Sequence, residues 1–206
     1  RAVVNYNAAV IDAEAVFSAT PVPHQFVTTA RLVEWKGLDG IIRATAILKK
    51  KYPDVKAVIA GDGPEEEKLK ALAKELGVEG SVKFTGRISR AETWHLRKSS
   101  EVYVLNSTYE GLPHTALTSF AARIPMVATD IPGTNEAVYN EISGLLVPAG
   151  DDHALADAIS RLFDDSVLRS RLIEGAEKIL NDKFSWDVHL KTLFGFFQSV
   201  QAKPRD

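Results

Sequence analysis

Cysteine is absent from the chain, which excludes disulfides and thiolate-held metals and fits a reducing cytosol. Histidine is scarce. His24, His95, His153 and His189 show no metal-ligand spacing with one another, and no Asp-x-Asp stands in a strand-end loop, so no metal is expected. Charge of one sign is also lacking: 25 Lys and Arg face 27 Asp and Glu, for a net −2 and a pI near 6.3. A nucleic-acid partner is not expected from that balance. Apolar runs of membrane-spanning length are missing, and no secretory signal precedes the first strand, so the expected location is cytoplasmic. No internal repeat and no low-complexity tract stands out.

What is present is globular composition, 45% hydrophobic and 25% charged over 206 residues, enough for one well-buried domain and a short extension. The opening at Arg1, with Ala2-Val3-Val4-Asn5-Tyr6-Asn7, reads as chain entering from an earlier domain. The expectation is a fragment of a longer protein. Residues 1–25 are weakly patterned and end in Pro21-Val22-Pro23, a linker-like stretch.

From residue 26 onward, apolar strand patterns alternate with helical ones. Strands are expected at 26–30, 55–60, 82–85, 102–105, 126–128 and 144–147, the short β-branched runs of a sheet buried on both faces. Helices are expected at 38–50, from Glu65 to Leu76, at 89–98 with Ser89 and Glu92 as a capping box, and from Thr115 as N-cap to Arg123. Others follow at 135–139, 152–163, 166–180 and from Ser185 to about Val200. This alternation argues for an α/β fold with a doubly wound parallel sheet, Rossmann-like. Right-handed crossovers then bring every strand-to-helix loop to one edge, where Arg31, Lys36, Gly61, Gly63, Arg87 and Glu110 converge.

The central stretch is residues 102–136. Its strand opens into Tyr109-Glu110-Gly111-Leu112-Pro113, and the helix that follows offers unpaired N–H groups and a positive dipole end to an anion. Glu110 adds an acceptor for hydroxyls. Phosphate beside hydroxyls points to a sugar phosphate or nucleotide sugar, while the same pattern also suits an ordinary loop with a solvated glutamate. His114 starts the helix, where an imidazole can donate to phosphate or simply be exposed. Arg31 and Lys36 flank a loop ending at Gly37 and are either a diphosphate clamp or two solvated cations.

Tyr-Glu-Gly-Leu-Pro, then Ala116-Leu117-Thr118-Ser119-Phe120-Ala121-Ala122, then Pro125-Met126-Val127-Ala128-Thr129-Asp130, resembles the donor-site signature of the retaining GT-B glycosyltransferases of the group 1 (GT4) family. Arg31-Leu32-Val33-x-x-Lys36-Gly37 resembles that family's phosphate-binding motif, and Gly61-Asp62-Gly63-Pro64 its glycine turn at the donor pocket. Residues 82–88, with Arg87 and Ile88, are similar to the segment whose backbone meets the nucleotide base. Gly133 and Thr134 fall in the loop near the donor sugar and phosphate. The resemblance covers about residues 26–200.

It implies the C-terminal, donor-binding half of a GT-B fold: residues 1–25 entering from an absent N-terminal acceptor domain, 26–183 as the Rossmann-like unit, and 184–206 as a helix crossing back. Arg31 and Lys36 would hold the diphosphate and stabilise its departure, and Glu110 would orient the donor. Gly111, Leu112 and Pro113 would shape the phosphate loop, with N–H groups from the first two. A nucleotide diphosphate sugar is the implied substrate, no cofactor is needed, and the full protein has room for contact with a membrane surface. An asparagine near the domain entry in the family corresponds to Asn5 or Asn7. Trp186 and the phenylalanines at 184, 194, 196 and 197 suit core or inter-domain packing.

Two positions depart from the pattern. Thr118 stands where the family has a second glutamate for the ribose hydroxyls, and Arg123 replaces a small residue. A non-catalytic sugar-phosphate-binding domain and a nucleotide-sugar epimerase of the same architecture are the alternatives.

Overall fold

The computed structural model describes residues 3–8 and 19–201. Six parallel strands run β1 (Val22–Thr29), β2 (Lys56–Ala60), β3 (Val82–Phe84), β4 (Ser100–Leu105), β5 (Met126–Thr129) and β6 (Leu145–Val147). In space their order is β3-β2-β1-β4-β5-β6. The chain winds outward from β1 to β3, returns through α3 (Arg90–Lys98) and continues the other way from β4. The switch point lies between β1 and β4, where the loops leaving the two strands diverge and open a crevice at the carboxyl edge.

Period-2 side-chain alternation sorts the core into two layers. Phe26, Val102, Val104 and Val127 pack against α1 (Leu38–Leu48), α2 (Glu66–Glu75) and α5 (Asp152–Asp164). Val27, Tyr103, Leu105 and Met126 face α3, α4 (His114–Ala121) and α6 (Ser166–Phe184). Each fully buried Leu, Ile or Phe in these layers contributes about 1.5–3 kcal/mol relative to exposure, which is why the buried strand positions on both faces are mostly apolar.

Several elements differ from the sequence expectations. β1 begins at Val22, inside the stretch read as linker, with irregular pairing to β4 between Val22 and Phe26. Thr115 is not the N-cap of α4: the helix begins at His114, Pro113 stands at the cap, and no side chain caps it. The extended Pro113 ends the loop, and its carbonyl already accepts from Ala116 N–H. Residues 135–139 do not form a helix: a turn runs to residue 137, with Ala137 and Val138 N–H both donating to the Thr134 carbonyl, and Tyr139 N–H then donates to Ser143 Oγ. α6 continues to Phe184, which is fully buried against it, so that ring belongs to the core. α7 (Trp186–Gln201) exposes Trp186, Phe194 and Phe197. The Ser89/Glu92 capping box is present as read. Arg123 adopts φ 58°, a left-handed conformation that suits glycine, and pairs with Glu177 of α6.

Candidate functional site at the switch point

The loop leaving β1 is built on its own backbone. Glu34–Lys36 forms a 3-10 turn closed by Gly37, whose φ of 59° and N–H bond to the Glu34 carbonyl give a left-handed cap. Leu32 is fully buried and tethers the loop to its neighbour: its N–H donates to the Asp62 carbonyl at 2.8 Å, and its carbonyl accepts from Glu65 N–H at 3.1 Å. The glycines after β2 make this docking possible. A Cβ on Gly61 would lie 1.8 Å from the Ala30 carbonyl oxygen, and one on Gly63 would lie 2.3 Å from that of Leu32. Both glycines therefore serve loop-on-loop packing as well as lining the cleft.

Packed this way, Thr29, Arg31, Gly61, Gly63, Arg87 and Ile88 line one cleft of about 510 Å³. Arg31 is exposed there, Ile88 is half-buried, and Arg87 extends outward with Nε 3.6 Å from Asp62 Oδ2. Five of the residues singled out from sequence share this cleft.

Lys36 does not join it as a free cation. Its Nζ lies 2.6 Å from Glu110 Oε1, and Ser107 Oγ donates to the same oxygen at 2.7 Å. Glu110 is only 11% exposed and Lys36 22%. The two loops are joined elsewhere too, by Asn106 Nδ2 donating to the Gly37 carbonyl at 2.7 Å and Thr108 N–H to that of Trp35 at 2.8 Å. Gly37 itself is pressed onto Asn106, where a Cβ would meet the carbonyl oxygen at 2.1 Å. The carboxylate thus fixes the ammonium's direction, and the ammonium keeps two further N–H donors.

Gly111 is exposed, with open space around its Cα, Leu112 is half-buried, Pro113 is buried, and His114 is exposed with Nε2 3.3 Å from Asn7 Nδ2. Asn7, flagged alongside Asn5 as a counterpart of the family's entry asparagine, therefore reaches the first residue of α4. Thr118 turns its hydroxyl back onto α4, donating to the carbonyls of His114 and Thr115 at 3.1 Å each. Gly133, with φ 86°, supports the central loop from behind: a Cβ there would stand 1.8 Å from the Gly111 carbonyl oxygen. Thr134 is fully buried with no hydrogen-bond partner for Oγ1 among the described residues.

Sequence reasoning missed Thr29, Asn106 and Ser107. Thr29 lies in the cleft wall, and the other two are buried polar residues directly after an apolar strand. That placement is the signal that could have found them, since buried polar groups are there to be hydrogen-bonded. Among the described residues, no group of three His, Cys, Asp or Glu is arranged to hold a metal ion, and no helix is long and apolar enough to cross a membrane.

A six-stranded doubly wound sheet with polar loops gathered at its switch point defines a Rossmann-like α/β domain. Residues 17–179 match the family described as glycosyl transferases group 1, and the chain belongs to that family. It is 36% identical over 159 residues to the lipopolysaccharide core biosynthesis glycosyltransferase LpsD of Rhizobium meliloti, covering 77% of this chain and 45% of LpsD. It is 33% identical over 170 residues to the alpha-D-kanosaminyltransferase of Streptomyces kanamyceticus, 82% of this chain and 44% of that enzyme. The chain thus spans about half the length of these curated relatives.

Among solved structures, the C-terminal domain of the group 1 glycosyl transferase LpcC from Francisella tularensis superposes with a TM-score of 0.73 at 24% identity, covering 89% of this chain and 97% of that domain. A mutant of S. aureus TarM in complex with Fondaparinux, alpha-GlcNAc-glycerol and UDP gives 0.85 at 21% identity, covering 95% of this chain and 39% of TarM. The fold is that of the C-terminal half of a GT-B glycosyltransferase.

Proposed function

We propose that this chain is the donor-binding domain of a retaining glycosyltransferase of the GT4 type, which takes a nucleotide diphosphate sugar and transfers its hexose to an acceptor. The observation that carries the reading is the Lys36–Glu110 pair, which ties the loop after β1 to the loop after β4 at the switch point, on the same β1 loop that places Arg31 in the cleft. Lys36, aimed by Glu110, and Arg31 stabilise the charge that develops on the departing diphosphate, the role preorganised cations play in acyl- and phosphoryl-transfer sites. The N–H groups of Gly111 and Leu112, just before α4, donate to phosphate oxygens. Ile88 and Arg87 border the base, and Glu110 orients the sugar hydroxyls.

In this reading the acceptor is held by an N-terminal domain. The 206 residues bind donor without transferring the sugar, the two cations serve where other transferases use a metal, and the full protein works in the cytoplasm or at a membrane surface. Solved relatives in complex with UDP, TarM and the Anabaena protein HepE among them, make uridine the first base to try.

One observation favours a second reading. Thr118, with its hydroxyl spent on its own helix, offers no carboxylate to a ribose, as expected of a domain that binds sugar phosphate without catalysis. Calorimetric titration of the chain with UDP, GDP, ADP and their sugar conjugates tests the donor-site reading. Saturable binding of one nucleotide diphosphate supports it, and silence at millimolar concentration contradicts it.

A further inference from the structure

We propose that Arg97 is a positioning residue for the anion in the 510 Å³ cleft, its buried charge balanced by the phosphates of the ligand. The inference rests on the donor-site reading. Arg97 follows Trp94 by three residues on α3, so both share the face turned to the sheet, and Arg97 is only 5% exposed. Its guanidinium lies over the Tyr103 ring, 5.2 Å from the centroid, and donates from Nη2 to Thr29 Oγ1 at 2.8 Å. Nε is buried with no acceptor, and no carboxylate pairs with the side chain among the described residues.

A guanidinium stays protonated in proteins, and buried cations are ordinarily paired. The partners here are a neutral ring and a neutral hydroxyl, which offset part of the desolvation cost and leave the charge uncompensated. Thr29 is where that charge meets the cleft. It is the last residue of β1, lines the cleft with Arg31, Gly61 and Gly63, and is fixed by Tyr103, whose hydroxyl lies 2.9 Å from Thr29 Oγ1. Arg31 stands in front of this wall and Arg97 behind it. An anion between them gains from both, whereas an uncharged nucleoside gains from neither.

Arg97 also borders a smaller cleft at the opposite sheet edge, with Lys98, Ser100 and Glu101. Arg123 and Arg169 line it as well, and Glu101 faces Arg169 at 3.9 Å, so this cleft is the competing place for an anion drawn by Arg97; Thr29, which accepts from Arg97, lines the larger cleft and not this one. A charge close behind the wall of a partly desolvated site changes the affinity of a multivalent anion by roughly tenfold or more.

The test compares the chain with Arg97→Met, Arg97→Lys and Arg31→Ala, each titrated with pyrophosphate, with UDP, GDP and ADP, and with the matching nucleosides, and each melted with and without ligand. The expected result is that Arg97→Met weakens the nucleotide diphosphate and pyrophosphate by roughly tenfold or more and leaves the nucleoside unchanged, while Arg97→Lys loses less. Without ligand, Arg97→Met melts no lower than the parent, because an unpaired charge has left the interior. Equal nucleotide affinity in parent and Arg97→Met, with a lower melting temperature, overturns the proposal and leaves the donor-site reading standing. Pyrophosphate binding that needs both Arg97 and Arg31, with no nucleotide bound more tightly, supports the charge role and removes the nucleotide reading. Binding that needs Arg97 and ignores Arg31 moves the anion to the opposite edge and overturns the proposal.

Discussion

Lys36 Nζ and Glu110 Oε1 lie 2.6 Å apart although 74 residues separate them, and this contact joins the loop after β1 to the loop after β4. Because both groups are mostly buried, removing one partner strands the other. Lys36→Met should cost about 1–3 kcal/mol, the penalty of a buried charged acceptor left with Ser107 as its remaining donor. Lys36→Met/Glu110→Gln should recover part of that loss. Thermal or urea melts of the four-member cycle check this, and additive losses would mean the contact is not formed.

Gly133 and Gly111 should respond in opposite ways to the same change. Gly133→Ala puts a methyl on the Glu110–Gly111 backbone at a left-handed φ, and should destabilise by more than about 2 kcal/mol. Gly111→Ala meets open space and should stay within about 1 kcal/mol of the parent. Equal effects in melts would show that Gly133 does not support the central loop.

A third expectation concerns acid. Arg43 joins α1 to α5 by donating to Asp152 Oδ2 at 2.5 Å and to Asp39 Oδ2 at 2.6 Å. Burial pushes the Asp39 carboxyl up, but the bonds and charge of Arg43, with backbone donors, outweigh it and hold the group below its ordinary value. A depressed carboxylate contributes stability that is present above its unfolded pKa and lost as pH falls through the folded one. The melting-temperature gap between the parent and Arg43→Met should therefore be widest near neutrality and narrow below about pH 4. A gap that does not change with pH would show that Arg43 contributes only packing.

Thr118→Glu tests how the ribose is held. On the donor-site reading a carboxylate here adds charge-assisted hydrogen bonds, and UDP should bind about ten- to a hundredfold more tightly. Calorimetry that shows no gain, or a loss, would point to a site built around threonine.

The architecture was legible because a doubly wound sheet writes its strands as short β-branched runs: residues 102–105 are buried on both faces, as a central parallel strand must be. Local capping chemistry was legible where one side chain decides it, as at Ser89 and Glu92. It misled at Thr115, where Pro113 sets the helix start, and at residues 135–139, where Ser143 captures the Tyr139 donor from outside the window. The site was legible as a collection of residue types but not as a set of partners. Composition and spacing placed Arg31 and Lys36 together as cations, while the fold pairs Lys36 with a distant glutamate and leaves Arg31 in the cleft. Pairings of that kind arise from strand order, which neighbouring residues do not encode. Arg97 did leave a trace, a basic residue one helical turn from a tryptophan on the apolar face of α3.

On the proposed reading, Arg31 and Lys36 together hold a diphosphate at the switch point. The most direct test is calorimetric titration of the chain and of Arg31→Ala/Lys36→Ala with the nucleotide diphosphate that binds best. The expected result is saturable binding by the parent and a loss of roughly a hundredfold or more in the double variant, on the order of two charge-assisted contacts. Equal affinity in the two proteins would contradict it.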